Sequence, residues 1–116
     1  LVILHGLFGS LDNWFSLSKA FADSHHVYLV DQRNHGQSPH SDSHTYDEMA
    51  EDLFVFFKDH GLKDAVLIGH SMGGKIAMQI HDMVRLAKKL YFKDSDFPKL
   101  NTELHEQYKN GQMRLF

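Results

Sequence analysis

The 116-residue chain predicts an α/β fold with a central parallel sheet, on three observations. Apolar runs of strand length stand at Leu1–Leu4, His26–Val30 and Ala65–Ile68. Stretches with apolar residues three and four apart lie between and after them, the pattern of helices with one buried face. The first and third runs end in glycine-rich turns. Strands alternating with helices form a parallel sheet through right-handed crossovers, and helices on both faces make three layers.

Each element carries its own signal. After the Leu1–Leu4 strand, Trp14, Leu17 and Phe21 recur at three and four, which predicts a helix with one buried face. His26–Val30 is the second strand. Thr45-Tyr46-Asp47-Glu48 is a capping box, in which the threonine hydroxyl and the glutamate carboxylate satisfy each other's backbone N–H. The helix it opens carries Tyr46, Met49, Leu53, Phe56 and Phe57 as an apolar stripe and stops at Gly61. The Phe54, Phe56 and Phe57 cluster is expected in the core. Ala65–Ile68 is the third strand. Beyond Gly74, Ile76, Ile80, Met83, Ala87 and Leu90 keep helical spacing, so a helix is expected to about residue 90. Leu90-Tyr91-Phe92-Lys93-Asp94 is a candidate fourth strand.

With the Leu1 strand in the centre, the second and third strands fall on its two sides. The Gly6–Gly9 turn then meets Ser71 at the carboxyl edge of the sheet, where open α/β sheets bind ligands. No internal repeat, low-complexity tract or interdomain linker interrupts the chain, so residues 1–116 read as a single domain. Residues 1–80 form its core, and residues 81–116 a helical extension and a tail.

Composition narrows the function. The chain is 42% hydrophobic with a formal charge of −3, which gives no electrostatic case for nucleic acid or an anionic membrane. No apolar run approaches the roughly 18–20 residues that cross a bilayer. No transmembrane segment is therefore expected, and the cytoplasm is the expected location, with an organelle left open. The absence of cysteine excludes a disulfide framework. Residues 1–80 hold five Lys/Arg against ten Asp/Glu, whereas residues 81–116 hold seven against five, so the tail differs in character from the body. Among the ten histidines, His25, His26, His35, His40 and His44 have no ligand spacing and are expected to be solvated. Neither a metal nor a cofactor is expected.

Residues 66–75, Val-Leu-Ile-Gly-His-Ser-Met-Gly-Gly-Lys, put a Gly-x-Ser-x-Gly between a strand and a helix, the arrangement of a nucleophile elbow. A serine hydroxyl is a poor nucleophile until a tight turn lifts it to where a base can reach it. Gly69 and Gly73 provide the room, and Ser71 is the candidate nucleophile. The same residues match a phosphate-binding loop as far as Gly74-Lys75, but Ile76 stands where a hydroxyl should hold Mg²⁺, and no other segment reads nucleotide. A tetrahedral oxyanion needs two backbone N–H donors. Met72, directly after the serine, supplies one. The turn in Leu-Val-Ile-Leu-His-Gly-Leu-Phe-Gly-Ser, residues 1–10, supplies the other, with Leu7 best placed and Phe8 the alternative.

A third segment, Asp31-Gln32-Arg33-Asn34-His35-Gly36-Gln37-Ser38-Pro39, follows the second strand. With His-Gly-Leu-Phe-Gly-Ser before it and Gly-His-Ser-Met-Gly-Gly-Lys after it, the chain resembles the α/β-hydrolase superfamily, and most closely its small YbfF-type esterases. The Arg-Asn-His-Gly-x-Ser-Pro variant and Lys75 after the double glycine are the discriminating details, and the resemblance runs from residue 1 to about 80. It implies a partial α/β-hydrolase fold and a serine hydrolase acting on small carboxylic esters or acyl thioesters. Ser71 would be the nucleophile and the N–H groups of Leu7 and Met72 the oxyanion hole. The resemblance leaves His5 and His70 to packing and turn support, and gives Arg33 and His35 no catalytic role.

A complete member of that superfamily also has further strands, a lid, an acid after the next strand and a histidine near its C-terminus. Asp94 or Asp96 with His105 follow Ser71 in the right order. The eleven residues from Asp94 to His105 are far fewer than the family uses, and a solvated tail is the competing reading. Two functions follow: an esterase or thioesterase, or a non-catalytic truncated protein that binds a partner. A few strands cut from a larger sheet expose edges and apolar faces, so self-association is expected.

Overall fold

The computed structural model describes residues 1–91 and 99–100. In chain order it holds β1 (Val2–Leu4), a 3₁₀ turn (Leu11–Trp14), α1 (Phe15–Ser18), β2 (Tyr28–Val30) and α2 (Tyr46–Asp59). Then come β3 (Asp64–Ala65), β4 (Leu67–Gly69), α3 (Met72–Tyr91) and β5 (Lys99–Leu100). The main sheet is parallel in the order β2-β1-β4, with Leu4 opposite Val30 on one side and Gly69 on the other. The Leu1 strand is thus central, as its sequence predicts, and the loops after β1 and β4 leave from the same edge.

Side-chain alternation along β1 builds the core. Val2 and Leu4 share one face and pack with Met49, Ala50, Leu53 and Phe57 of α2 and with Met72, Ile76 and Ile80 of α3. Ile3, between them, points to the opposite face and is also buried. The predicted stripe of α2 is therefore its buried face, except that Tyr46 lies at the rim beneath the Lys75 ammonium, 5.4 Å from the ring centre. The capping box forms as expected: Thr45 Oγ1 accepts the Glu48 N–H at 3.3 Å and Glu48 Oε2 accepts the Thr45 N–H at 3.2 Å. Gly61 ends the helix with φ +62°, a left-handed turn that a Cβ would strain.

Three sequence expectations are corrected. The segment with Trp14, Leu17 and Phe21 does not make one helix with a buried face: it breaks into the 3₁₀ turn, the four-residue α1 and further turns, and neither helical element buries a residue. Bonds between residues three apart replace the 3.6-residue period there, so the apolar positions do not align on one stripe. The third strand divides at Val66, whose carbonyl accepts the Val2 N–H at 2.8 Å, into β3 and β4. Lastly, Leu90 and Tyr91 end α3 and do not start a strand. The extra pairing is made by β5, parallel to β3. The remainder of the candidate fourth strand, with Asp94, Asp96 and His105, lies outside the described residues.

No helix among the described residues is long and apolar enough to cross a membrane. The packing of α2 sets an expected contrast in stability. Phe57→Ala, at a site with no solvent exposure, should cost about 3–5 kcal/mol. Val55→Ala, on the outer face of the same helix and 53% exposed, should change stability by less than about 0.5 kcal/mol. Urea denaturation of the two variants checks this.

Candidate active site

The site begins with a close approach of two backbones. A Cβ on Gly73 would stand 2.5 Å from the Leu4 carbonyl oxygen and 2.7 Å from that of His5, and one on Gly69 would collide with the Gly73 backbone. Only glycine fits either position, so α3 starts directly against the end of β1. Between them Ser71 takes φ +51°, the left-handed region that a non-glycine residue enters at a cost. The Gly73 N–H bonds to the His70 carbonyl at 2.9 Å, and the N–H groups of Gly74 and Lys75 to that of Ser71 at 3.0 and 3.2 Å. The side chain of Ser71 is left exposed.

Gly6, on the loop after β1, faces this turn. A Cβ there would lie 2.7 Å from His70 Nδ1 and 3.3 Å from Ser71 Cβ. The two predicted motifs are therefore neighbours across the sheet edge. Among the described residues, the N–H groups of Leu7 and Met72 and the hydroxyl of Ser71 have no hydrogen-bond partner. Phe8, the alternative donor of the sequence reading, differs: its N–H is taken by His35 Nε2 at 3.2 Å. On the Leu7 side of the turn a cavity of about 410 Å³ opens between Leu7, Phe8, Trp14 and His70. Leu7 and Phe8 are exposed at its rim, and Phe8, at φ +62°, is 93% exposed.

The loop after β2 supports the loop after β1 from below. Asp31 accepts the Leu11 N–H at 2.8 Å on one carboxylate oxygen and the Gln37 N–H at 3.0 Å on the other. Arg33 grips Asp52 of α2 with two bonds of 2.6 and 2.9 Å, lies 3.3 Å from Glu48, and donates to Ser43 at 3.1 Å. Bonds from Ser43 and Thr45 hold the Glu48 carboxyl below its ordinary range. Arg33 thus ties the loop after β2 to α2.

His35 corrects its sequence reading. It is buried at 8% exposure, not solvated, because its ring fills the space between the two loops. No periodic or motif signal in the sequence marks that burial; it follows from how two distant loops meet. His5 is buried as well, its ring 5.0 Å from that of His35. Its Nδ1 donates to the Gly6 carbonyl at 2.8 Å and its Nε2 accepts the Gln32 N–H at 3.1 Å, while Gln32 Nε2 donates to the His5 carbonyl at 2.6 Å. His5 therefore supports the turn, as expected. His70 is exposed with its ring 6.0 Å from Trp14. Among the described residues no three His, Cys, Asp or Glu side chains gather as metal ligands.

A parallel sheet with a Gly-x-Ser-x-Gly turn at the end of one strand and a glycine turn at the end of its neighbour defines a class of protein. The chain belongs to the alpha/beta hydrolase fold family, whose model matches residues 1–102. Over 80 residues it is 51% identical to the sn-1-specific diacylglycerol lipase ABHD11 of Mus musculus, covering 67% of this chain and 26% of that protein. It is 44% identical over 80 residues to the esterase YbfF of Escherichia coli (strain K12), covering 69% and 32%. Among solved structures it is similar to a marine microorganism esterase, with a TM-score of 0.71 and 52% identity over 72% of this chain and 32% of that one. The chain thus spans about a quarter to a third of the length of these relatives.

The buried His5 gives a pH prediction. Burial pushes its pKa below the ordinary imidazole value of about 6.5, and a charge on His35 would push the same way; the Gly6 carbonyl and the Asp31 carboxylate oppose. The unfolded chain then takes up a proton at His5 more readily than the folded one. This stability is fully present above about pH 6.5 and is lost as pH falls through the lowered folded value. Urea midpoints measured between pH 8 and pH 5 should fall on the acid side, and His5→Asn should flatten the slope. A slope unchanged by the substitution contradicts the assignment.

Proposed function

We propose that this chain carries the nucleophile and the oxyanion hole of a serine hydrolase that cleaves carboxylic esters or acyl thioesters through an acyl-enzyme on Ser71. One observation carries the reading: an exposed serine on a left-handed strand-to-helix turn, flanked by N–H groups of Met72 and Leu7 that are unengaged among the described residues. Membership of a hydrolase family with esterase and lipase relatives supports it.

In this reading Ser71 Oγ attacks the acyl carbon, its proton passes to a base and then to the departing alcohol or thiol, and water releases the acid in a second, equivalent step. The N–H groups of Leu7 and Met72 meet the oxygen as it gains charge, which fixed dipoles do without reorganising. The apolar rim of Leu7, Phe8 and Trp14 suits a hydrocarbon group of a small ester. Among the described residues no side chain is bonded to the Ser71 hydroxyl. Asp94 or Asp96 with His105 remain the candidates in this sequence. The second reading is a non-catalytic protein that keeps the turn and binds a partner.

A fluorophosphonate separates the two. Applied to the whole polypeptide that carries residues 1–116, it should leave its adduct on Ser71, and Ser71→Ala should lower ester turnover by on the order of 10⁶-fold, as loss of the nucleophile does in other hydrolases. An adduct elsewhere overturns the assignment of Ser71, and no adduct favours the non-catalytic reading.

The oxyanion donors belong to the backbone, so their side chains should matter less than the turn. Gly6→Val, which drives a side chain into His70 and Ser71, should reduce turnover by about 10²-fold or more at matched folded content. Leu7→Ala and Met72→Ala should cost much less. Equal losses among the three would assign the effect to the side chains of Leu7 and Met72.

A further inference from the structure

The two buried histidines bond across the two loops in opposite directions. His5, on the first loop, accepts the Gln32 N–H of the second; His35, on the second, accepts the Phe8 N–H of the first at 3.2 Å. Each ring spends its other nitrogen on a carbonyl of its own loop, Gly6 for His5 and Arg33, at 2.9 Å, for His35. A carbonyl can only accept, so both rings carry their proton on Nδ1 and present a bare Nε2. Neither pair of bonds survives in the other tautomer or in the imidazolium.

The Phe8 bond has a specific result. Leu7 and Phe8 offer two adjacent N–H groups on a turn whose Gly9 N–H already returns to the Gly6 carbonyl at 3.0 Å. With Phe8 engaged inward by His35, the Leu7 N–H is the one of the two left unpaired among the described residues. Phe8 is also held at φ +62°, a conformation that a phenylalanine on an exposed loop leaves unless something retains it. We infer that His35 is a positioning residue for acyl transfer: by accepting the Phe8 N–H it fixes the turn and selects Leu7 as the oxyanion donor. The inference rests on the proposed serine chemistry at Ser71, and it gives His35 a positioning part where the resemblance gives it no catalytic one.

Two substitutions separate this role from mere support. His35→Asn keeps a donor near Nδ1 for the Arg33 carbonyl and loses the acceptor at Nε2; His35→Gln keeps an acceptor near Nε2. In the whole polypeptide, the rate constant for fluorophosphonate labelling of Ser71 should fall roughly 10- to 100-fold in His35→Asn, the loss expected from a turn displaced by about 1 Å. It should stay within about threefold in His35→Gln. With an ester substrate the His35→Asn loss should appear in kcat with KM little changed. The Phe8 amide, followed by NMR hydrogen exchange, should be protected in the unchanged protein and in His35→Gln and exposed in His35→Asn.

Labelling of Ser71 at equal rates in both variants overturns the inference and leaves the serine reading standing. Absence of labelling in the unchanged protein removes the serine reading itself. Rapid exchange of the Phe8 amide in the unchanged protein overturns the inference without any variant, and so decides it even if His35→Asn fails to fold.

Discussion

The contact on which the rest of the molecule depends is backbone against backbone, where Gly73 meets the carbonyls of Leu4 and His5. A side chain there would push α3 off the sheet, and the seating of Met72, Ile76 and Ile80 against Val2 and Leu4 would go with it. The same closeness leaves the chain only a tight corner between β4 and α3. Ser71 occupies that corner in the left-handed region, a strain of about 1–3 kcal/mol that the buried start of α3 offsets. Strain at Ser71 and exposure of its hydroxyl are therefore two results of one packing constraint.

A second layer of constraint makes the adjoining loops rigid. A site on loops gains precision only if other groups lock those loops. Here the Asp31 carboxylate, the His5 and His35 rings and the Arg33 guanidinium tie the loop after β1, the loop after β2 and the start of α2 together. Most of these bonds run to backbone groups, so they hold the path of the chain and not merely the side chains. Among the described residues the Ser71 hydroxyl and the N–H groups of Leu7 and Met72 are left without a partner, and these are the groups the proposed reaction would use.

Hydrophobic periodicity and local motifs carried far in this chain, for physical reasons. The Thr45 capping box, the α2 stripe and the stop at Gly61 depend on neighbours within a few residues, and each forms. The order of the strands followed from alternation and from the handedness of crossovers. Periodicity failed at Trp14, Leu17 and Phe21, where three-residue turns replaced a helix and no partner surface rewarded a continuous stripe. Near Leu90 the helical spacing held, since α3 runs to Tyr91; it was the strand reading of the apolar run from Leu90 that gave way, and the second strand pairing comes from Lys99–Leu100.

The sequence by itself determined the fold class, the central place of the first strand and the identity of the candidate residues Ser71, Leu7 and Met72, because glycine-bounded turns are local and chemically specific. Only the tertiary structure decided that the Phe8 N–H is taken by a side chain, and only it moved His35 from a polar loop to the interior. Both decisions rest on one bond between residues 27 positions apart, Phe8 N–H to His35 Nε2. A bond of that kind has no period and no spacing rule; it exists because two loops after adjacent parallel strands leave the same edge of the sheet and must pack against each other.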